Sequence, residues 1–264
     1  MFISREVLPG VYHIRDPLGV YMTLLAGGER ALLVDTGYGV ESAAAFVRTI
    51  TDKPVTVLLT HAHHDHALGA RDFDSVLLAA PDIPLYPDYT SPERRARVAQ
   101  QAAGAGVTPP TDYLTASYPV PQPAQAEEID LGGMTARIIP CPGHTPGSAV
   151  VYVPERRLLL SGDNWNPCTW LFFPEAAVVQ DLIGNMRAAL ALPFDHVLCS
   201  HREALYPRAA IDAFYQGLTR GTLEGAKCVD MGHPIATREA VPAEGQVFVF
   251  DYDKYAARRR EEEI

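Results

Sequence analysis

The sequence has no apolar run near the ~20 residues that a helical membrane span needs, so no such span is expected. Its opening, "MFISREVLPG", lacks the apolar stretch of a secretory signal. Cysteine is scarce and scattered: Cys141, Cys168, Cys199 and Cys228 form no CxxC pair. That excludes a dense disulfide framework and points to reduced thiols in a cytoplasm. Basic residues are in deficit, with 22 Lys and Arg against 32 Asp and Glu, a net charge of -10. Such a surface repels phosphate backbones, which argues against nucleic acid as partner or substrate. No repeat of solenoid period is present.

Hydrophobic residues make up 47% of the chain and charged residues 20%, enough for a sizeable core. "GVYHIRD", "VYMTLLAGG" and "RALLVDTG" read as short strands between turn residues. "VESAAAFVRTI" follows with a helical face, and then a buried strand, "VTVLLT". "SVLLAA", "TARIIPCPG", "SAVVYVPE", "RLLLSGD", "HVLCSH" and "QVFVFDYD" are further strands. Helices are expected near 92–103, 176–191 and 207–219, and the tail "KYAARRREEEI" as a solvated helix end or frayed terminus. Hairpins cluster at the start and again in the middle, each group followed by helices. Two mixed sheets packed face to face with helices outside, an α/β four-layer sandwich, fit this better than one parallel sheet. One domain spanning 1–264 is expected, with a partly mobile insertion at about 81–128 and a C-terminal extension at about 202–264.

Four of the nine histidines fall between His61 and His66, in "THAHHDHALG", directly after the strand "VTVLLT". Imidazole is a good ligand for borderline metal ions. His61 and His63, two apart on an extended segment, point to one side and can share an ion. Asp65 and His66 follow as the chain turns and suit a second ion beside the first. His64 alternates with its neighbours and points away. Later strands end in matching donors: His144 in "PCPGHTPGS", Asp163 in "RLLLSGD" and His201 in "HVLCSH". Strand ends that face one way build a common cleft.

The order "THAHHDH", "PGHTPGS", "SGD", "SH", preceded by "LLVDTG", resembles the metallo-β-lactamase superfamily from about Val11 to His201. The resemblance implies an αββα sandwich with a metal site at one edge. It implies that His61, His63 and His144 hold one ion, that Asp65, His66 and His201 hold a second, and that Asp163 bridges them. Paired ions of this kind sit ~3.5–4 Å apart. Zinc is the first expectation, with iron or manganese as alternatives. Asp35 reads either as a turn residue or as an acceptor that fixes a ligand histidine's tautomer.

Two such ions ionise a shared water near neutral pH and polarise the substrate's oxygen. The expected reaction is hydrolysis of a carboxylic ester, thioester or lactone of a small molecule. Asp65 and Asp163 are its catalytic carboxylates, Asp65 ligating with one oxygen and holding the nucleophile with the other. Relatives acting on β-lactams carry Cys or Ser where Asp163 stands. Asp163 resembles instead the glyoxalase II-like, lactonase-like and phosphodiesterase-like branches. Asn166 stands where lactonases carry Tyr, and Tyr86, Tyr89 or Tyr118 could substitute. Arg202 is the nearby cation that a phosphodiesterase would use. A mononuclear iron persulfide dioxygenase shares much of this ligand set, and a non-catalytic binder is a further alternative. In "NWNPCTWLFFPEA", Trp165, Trp170, Phe172 and Phe173 could wall a substrate pocket, form a homodimer interface or fill the core. Cys168 has no base beside it and reads as an inert thiol.

Overall fold

The computed structural model describes residues 1–262. Seven strands in chain order form the first sheet: β1 (Ile3–Leu8), β2 (Val11–Arg15), β3 (Tyr21–Ala26), β4 (Ala31–Val34), β5 (Val55–Leu58), β6 (Leu77–Ala79) and β7 (Gln122–Ala124). The first four run antiparallel and the rest are parallel to β4. The second sheet is built from β8 (Glu127–Asp130), β9 (Thr135–Pro140), β10 (Ala149–Val153) and β11 (Leu158–Leu160). After β12 (Cys168–Leu171) the chain adds β13 (His196–Leu198) and β14 (Tyr206–Pro207) to that second sheet.

Alternation along each central strand divides the core into layers. In β4, Leu32 and Val34 face the space between the sheets, whereas Ala31 and Leu33 face outward. In β10, Val151 and Val153 meet them from the other side, whereas Val150 and Tyr152 face outward. The outer face of the first sheet is covered by Ala43 and Val47 of α1 (Ala43–Val47) and Ala67 of α2 (His64–Ala67). In chain order α3 (Tyr86–Tyr89) and α4 (Pro92–Gly104) come next, then α5 (Val179–Leu190) and α6 (Arg208–Gly217). The last two cover the outer face of the second sheet. Leu182 and Met186 of α5 and Ile211 and Phe214 of α6 are fully buried there. The layers are therefore helix, sheet, sheet, helix, the sandwich expected from the sequence.

Some local expectations shift. The first helix is one short run, capped by Ser42, whose hydroxyl accepts from Ala45 N–H at 3.2 Å. The segment 81–128 holds α3 and α4, and its end supplies β7 to the first sheet. The chain beyond His201 adds α7 (Arg220–Glu224), β15 (Lys227–Cys228), β16 (Thr237–Ala243), β17 (Gln246–Asp251) and α8 (Tyr252–Glu262). A third sheet in the order β12, β17, β16, β15 was not foreseen. The charged tail forms α8, and its last two residues lie outside the described residues. Among the described residues no helix is long and apolar enough to cross a membrane.

Asp82 ties the loops at the sandwich edge. It ends a 3-10 turn (Ala80–Asp82) after β6 and is fully buried. Its carboxylate accepts from Ala62 N–H at 2.9 Å, Gly147 N–H at 2.6 Å and the Thr145 hydroxyl at 2.8 Å. The loop after β5 is thereby joined to the loop between β9 and β10. Gly147 permits the approach, since a Cβ there would lie 2.7 Å from that of Asp82. Burial raises the Asp82 pKa, although these donors pull it back down. Asp82→Ala would leave the three donors without their acceptor. Thermal unfolding of the chelator-treated protein should show a loss of about 2–4 kcal/mol, whereas an unchanged melting temperature would remove Asp82 from this role.

Candidate metal centre

The seven His and Asp residues marked by the sequence converge at one edge of the sandwich. Five lie in loops just beyond a strand: His61 and His63 after β5, His144 after β9, Asp163 after β11 and His201 after β13. α2 is a single turn beginning at His64 and carries Asp65 and His66, the His66 ring lying 4.0 Å, centroid to centroid, from that of His61. Donor atoms of His61, His63 and His144 lie within 4.8 Å of one another. The same holds for His61, His66 and Asp163, and for Asp65, His66 and His201.

Asp163 stands between the groups. Its Oδ2 is 2.9 Å from His201 Nε2 and 3.6 Å from both His66 Nε2 and His144 Nε2. Asp65 Oδ2 is 3.6 Å from both His66 Nε2 and His201 Nε2. His64 belongs to none of these donor groups, as expected, but it lines the cavity beside them.

The outer nitrogens of four rings are engaged. His66 Nδ1–H donates to Asp35 Oδ2 at 2.9 Å. His144 Nδ1 bonds the Trp170 carbonyl at 2.8 Å. His61 Nδ1 contacts the Thr60 hydroxyl at 3.0 Å, and that hydroxyl donates to Asp35. His63 Nε2 bonds Glu175 Oε1 at 3.0 Å. The inner nitrogens are thus presented to a common space, with His63 Nδ1 and His144 Nε2 only 2.9 Å apart.

Three buried atoms here, His61 Nε2, His66 Nε2 and Asp163 Oδ1, have no hydrogen-bond partner. Buried polar atoms are rarely left so. Divalent cations bound among these groups would satisfy all three, so the residues fit a metal site. Asp35 serves as the acceptor that the sequence allowed. Its φ of 64° is left-handed, a conformation that Asp and Asn tolerate better than most residues.

Charge is unevenly spread over the site. Burial, then the neighbouring imidazoles, pushes His61 well below the ordinary histidine value. His144 is pushed down to about 4, again first by burial. Burial also opposes the charge on His66, but Asp65, Asp35 and Asp163 outweigh it and hold that ring well above its ordinary value. His201 is raised by Asp163 against its own burial. Burial would raise both acids, yet His201 and His66 hold Asp163 well below the carboxylate range, and His66 with His64 holds Asp65 to about 2.

A cavity of about 690 Å³ opens on this cluster. Trp170 and Phe173 line it, as one sequence expectation had it. Trp165 and Phe172 do not. Trp165 is fully buried, with its Nε1–H donating to Gln246 at 3.0 Å, and Phe172 is buried against Phe173 and His233. Trp165 packs in the core formed with the third sheet, which no local pattern reveals, and Phe172 packs against the cavity residues Trp170 and Phe173 from behind. Of the three candidate tyrosines, Tyr89 lines the cavity, whereas Tyr86 is buried and the Tyr118 hydroxyl donates to Leu68 O. Arg202 and Asn166 are also in the wall.

Sequence reasoning missed Glu175, Tyr38 and Arg94, which line the same space. Glu175 lies in the quoted aromatic stretch, where an acid among large apolar groups was the available signal.

The sequence model of the family described as "Metallo-beta-lactamase superfamily" matches residues 15–203. An uncharacterized protein of Mycobacterium tuberculosis (strain ATCC 25618 / H37Rv) is 34% identical over 141 residues, covering 48% of this chain and 56% of its own. A hydroxyacylglutathione hydrolase of Cereibacter sphaeroides (strain ATCC 17029 / ATH 2.4.9) is 30% identical over 149 residues, covering 56% of this chain and 48% of its own. The chain thus spans about half the length of these curated relatives. A structure solved in a di-iron-bound form superposes with a TM-score of 0.55 at 26% identity, over 74% of this chain and 92% of the other.

Asp35→Asn keeps the backbone conformation but can turn an N–H towards His66. We expect a metal affinity about 10–100-fold weaker, read by competition with a chromophoric chelator. A variant that binds as tightly as the parent would reduce Asp35 to a turn residue. Because neighbouring carboxylates raise His66 and His201 above the ordinary histidine value, metal binding competes with protons there, and zinc affinity should rise with pH, read by chelator competition at two pH values.

Proposed function

Since the chain belongs to the metallo-beta-lactamase superfamily, we propose that it is a dinuclear metal-dependent hydrolase of a small-molecule carboxylic ester, thioester or lactone. The observation that carries this reading is the position of Asp163 Oδ2, within 3.6 Å of ring nitrogens from both halves of the site. A carboxylate so placed has one oxygen for each of two neighbouring cations. His61, His63 and His144 would hold one, Asp65, His66 and His201 the other. Zinc is the first candidate; the relative solved with two irons keeps iron in view. When bound, such ions supply Lewis acidity and an ionised water near neutral pH.

The protein's own groups then do the rest. Asp65, held to about 2, stays ionised and can accept a hydrogen bond that orients the attacking water. Trp170, Phe173 and Pro174 offer an apolar wall for an acyl group. Arg202, whose guanidinium donates to its neighbour's carbonyl, and Arg94, which lies over the Tyr89 ring, add positive charge to the cavity wall. Cys168 lines the cavity, and the chemistry does not require it. The likeness to a hydroxyacylglutathione hydrolase supports an acyl substrate.

Elemental analysis of the purified protein tests the reading. About two metal ions per chain are expected, falling in Asp163→Ala together with hydrolysis of a panel of esters, thioesters and lactones. One iron per chain with oxygen uptake would replace the proposal with dioxygenase chemistry.

A further inference from the structure

His63 stands apart in how its outer nitrogen is held. The rings of His61 and His66 lean on Thr60 and Asp35, from the same half of the chain. The partner of His63 comes from the turn between β12 and α5. Glu175 Oε1 accepts from His63 Nε2 at 3.0 Å and also from the Tyr89 hydroxyl. The His63 ring is further packed between Tyr89 and Phe173, with centroids 4.5 and 4.8 Å away.

That turn is itself gripped from α8. The Lys254 ammonium donates to the carbonyls of Phe173 at 3.1 Å, Pro174 at 2.8 Å and Ala176 at 3.0 Å, on either side of Glu175. An ammonium has three protons to give, and here three carbonyls receive them. The turn is fixed at a second point, where Ala177 N–H donates to Gly143 O at 2.8 Å beside His144. β12 pairs with β17, and α8 begins directly after β17.

A carboxylate behind a ligand histidine sets which ring nitrogen carries the proton and how the ring is aimed. We propose that Glu175 is the positioning residue for His63, presenting Nδ1 to the first metal, and that Lys254 holds Glu175 in place. The inference rests on the dinuclear reading above. It assigns to α8, beyond the family match at residue 203, control over the all-histidine half of the site. Tyr89 is the second donor to Glu175 and limits its rotation.

Stepwise zinc affinities of the full-length protein, measured by chelator competition, test this without recourse to activity. Glu175→Ala should weaken one of the two sites about 10–100-fold and leave the other unchanged. Glu175→Gln, which keeps an acceptor oxygen, should recover most of the loss. Lys254→Met should weaken the same site by a smaller factor, and Lys254→Arg should restore it. Cobalt(II) loaded in place of zinc should show an altered visible spectrum for the affected site alone. The proposal is overturned if Glu175→Ala binds both ions as the parent does. It is equally overturned if both sites weaken together as the melting temperature of the metal-free protein falls, since that marks a structural role only. A parent protein that fails to take two ions would sink the dinuclear reading instead, which separates the two failures.

Discussion

An imidazole has two nitrogens, and the site depends on engaging one to offer the other. Four rings are held from behind by a carboxylate, a hydroxyl or a backbone carbonyl, so their remaining nitrogens face one small volume. Burying so many donors without partners would cost several kcal/mol. The fold tolerates the arrangement because the loops beyond its strands are cross-tied, most directly by Asp82. A cation would convert an unfavourable cluster into a satisfied one.

The two halves of the cluster differ in character. His61 and His144 sit deep among apolar and imidazole neighbours and are held neutral by burial. His66 and His201 sit against Asp65 and Asp163, whose charge raises both rings above the ordinary histidine value. Burial disfavours charge in one half, and the carboxylates favour it in the other. The carboxylates therefore remain ionised across the neutral range.

The seven residues were legible in the sequence because five sit directly beyond a strand, whose end local hydrophobic pattern marks, and Asp65 and His66 follow at once in the same His-rich run. The sandwich was legible for the same reason: hairpins and helices leave periodic signals. Trp165 was not, since its burial depends on Gln246, a residue 81 positions away. Nor was the third sheet, whose strand β12 finds its partner β17 across a similar separation. Glu175 and Lys254 act through contacts that no spacing encodes. Tyr89 was foreseen as a candidate, but its bond to Glu175 was not. What pattern supplies is the direction of the chain; what it withholds is which distant loop comes to rest against it.

The parallel pairing of β12 with β17 bears on how this chain could be divided. The stretch recognisable as the family, residues 15–203, contains β12 but not β17, and it begins at the last residue of β2. A fragment cut at those limits would expose the backbone edge of β12 and strip the cover from Trp165 and Phe172. Recognisable ancestry and a physically separable unit are therefore different objects in this molecule, and only the longer one closes its own hydrogen-bond ladders.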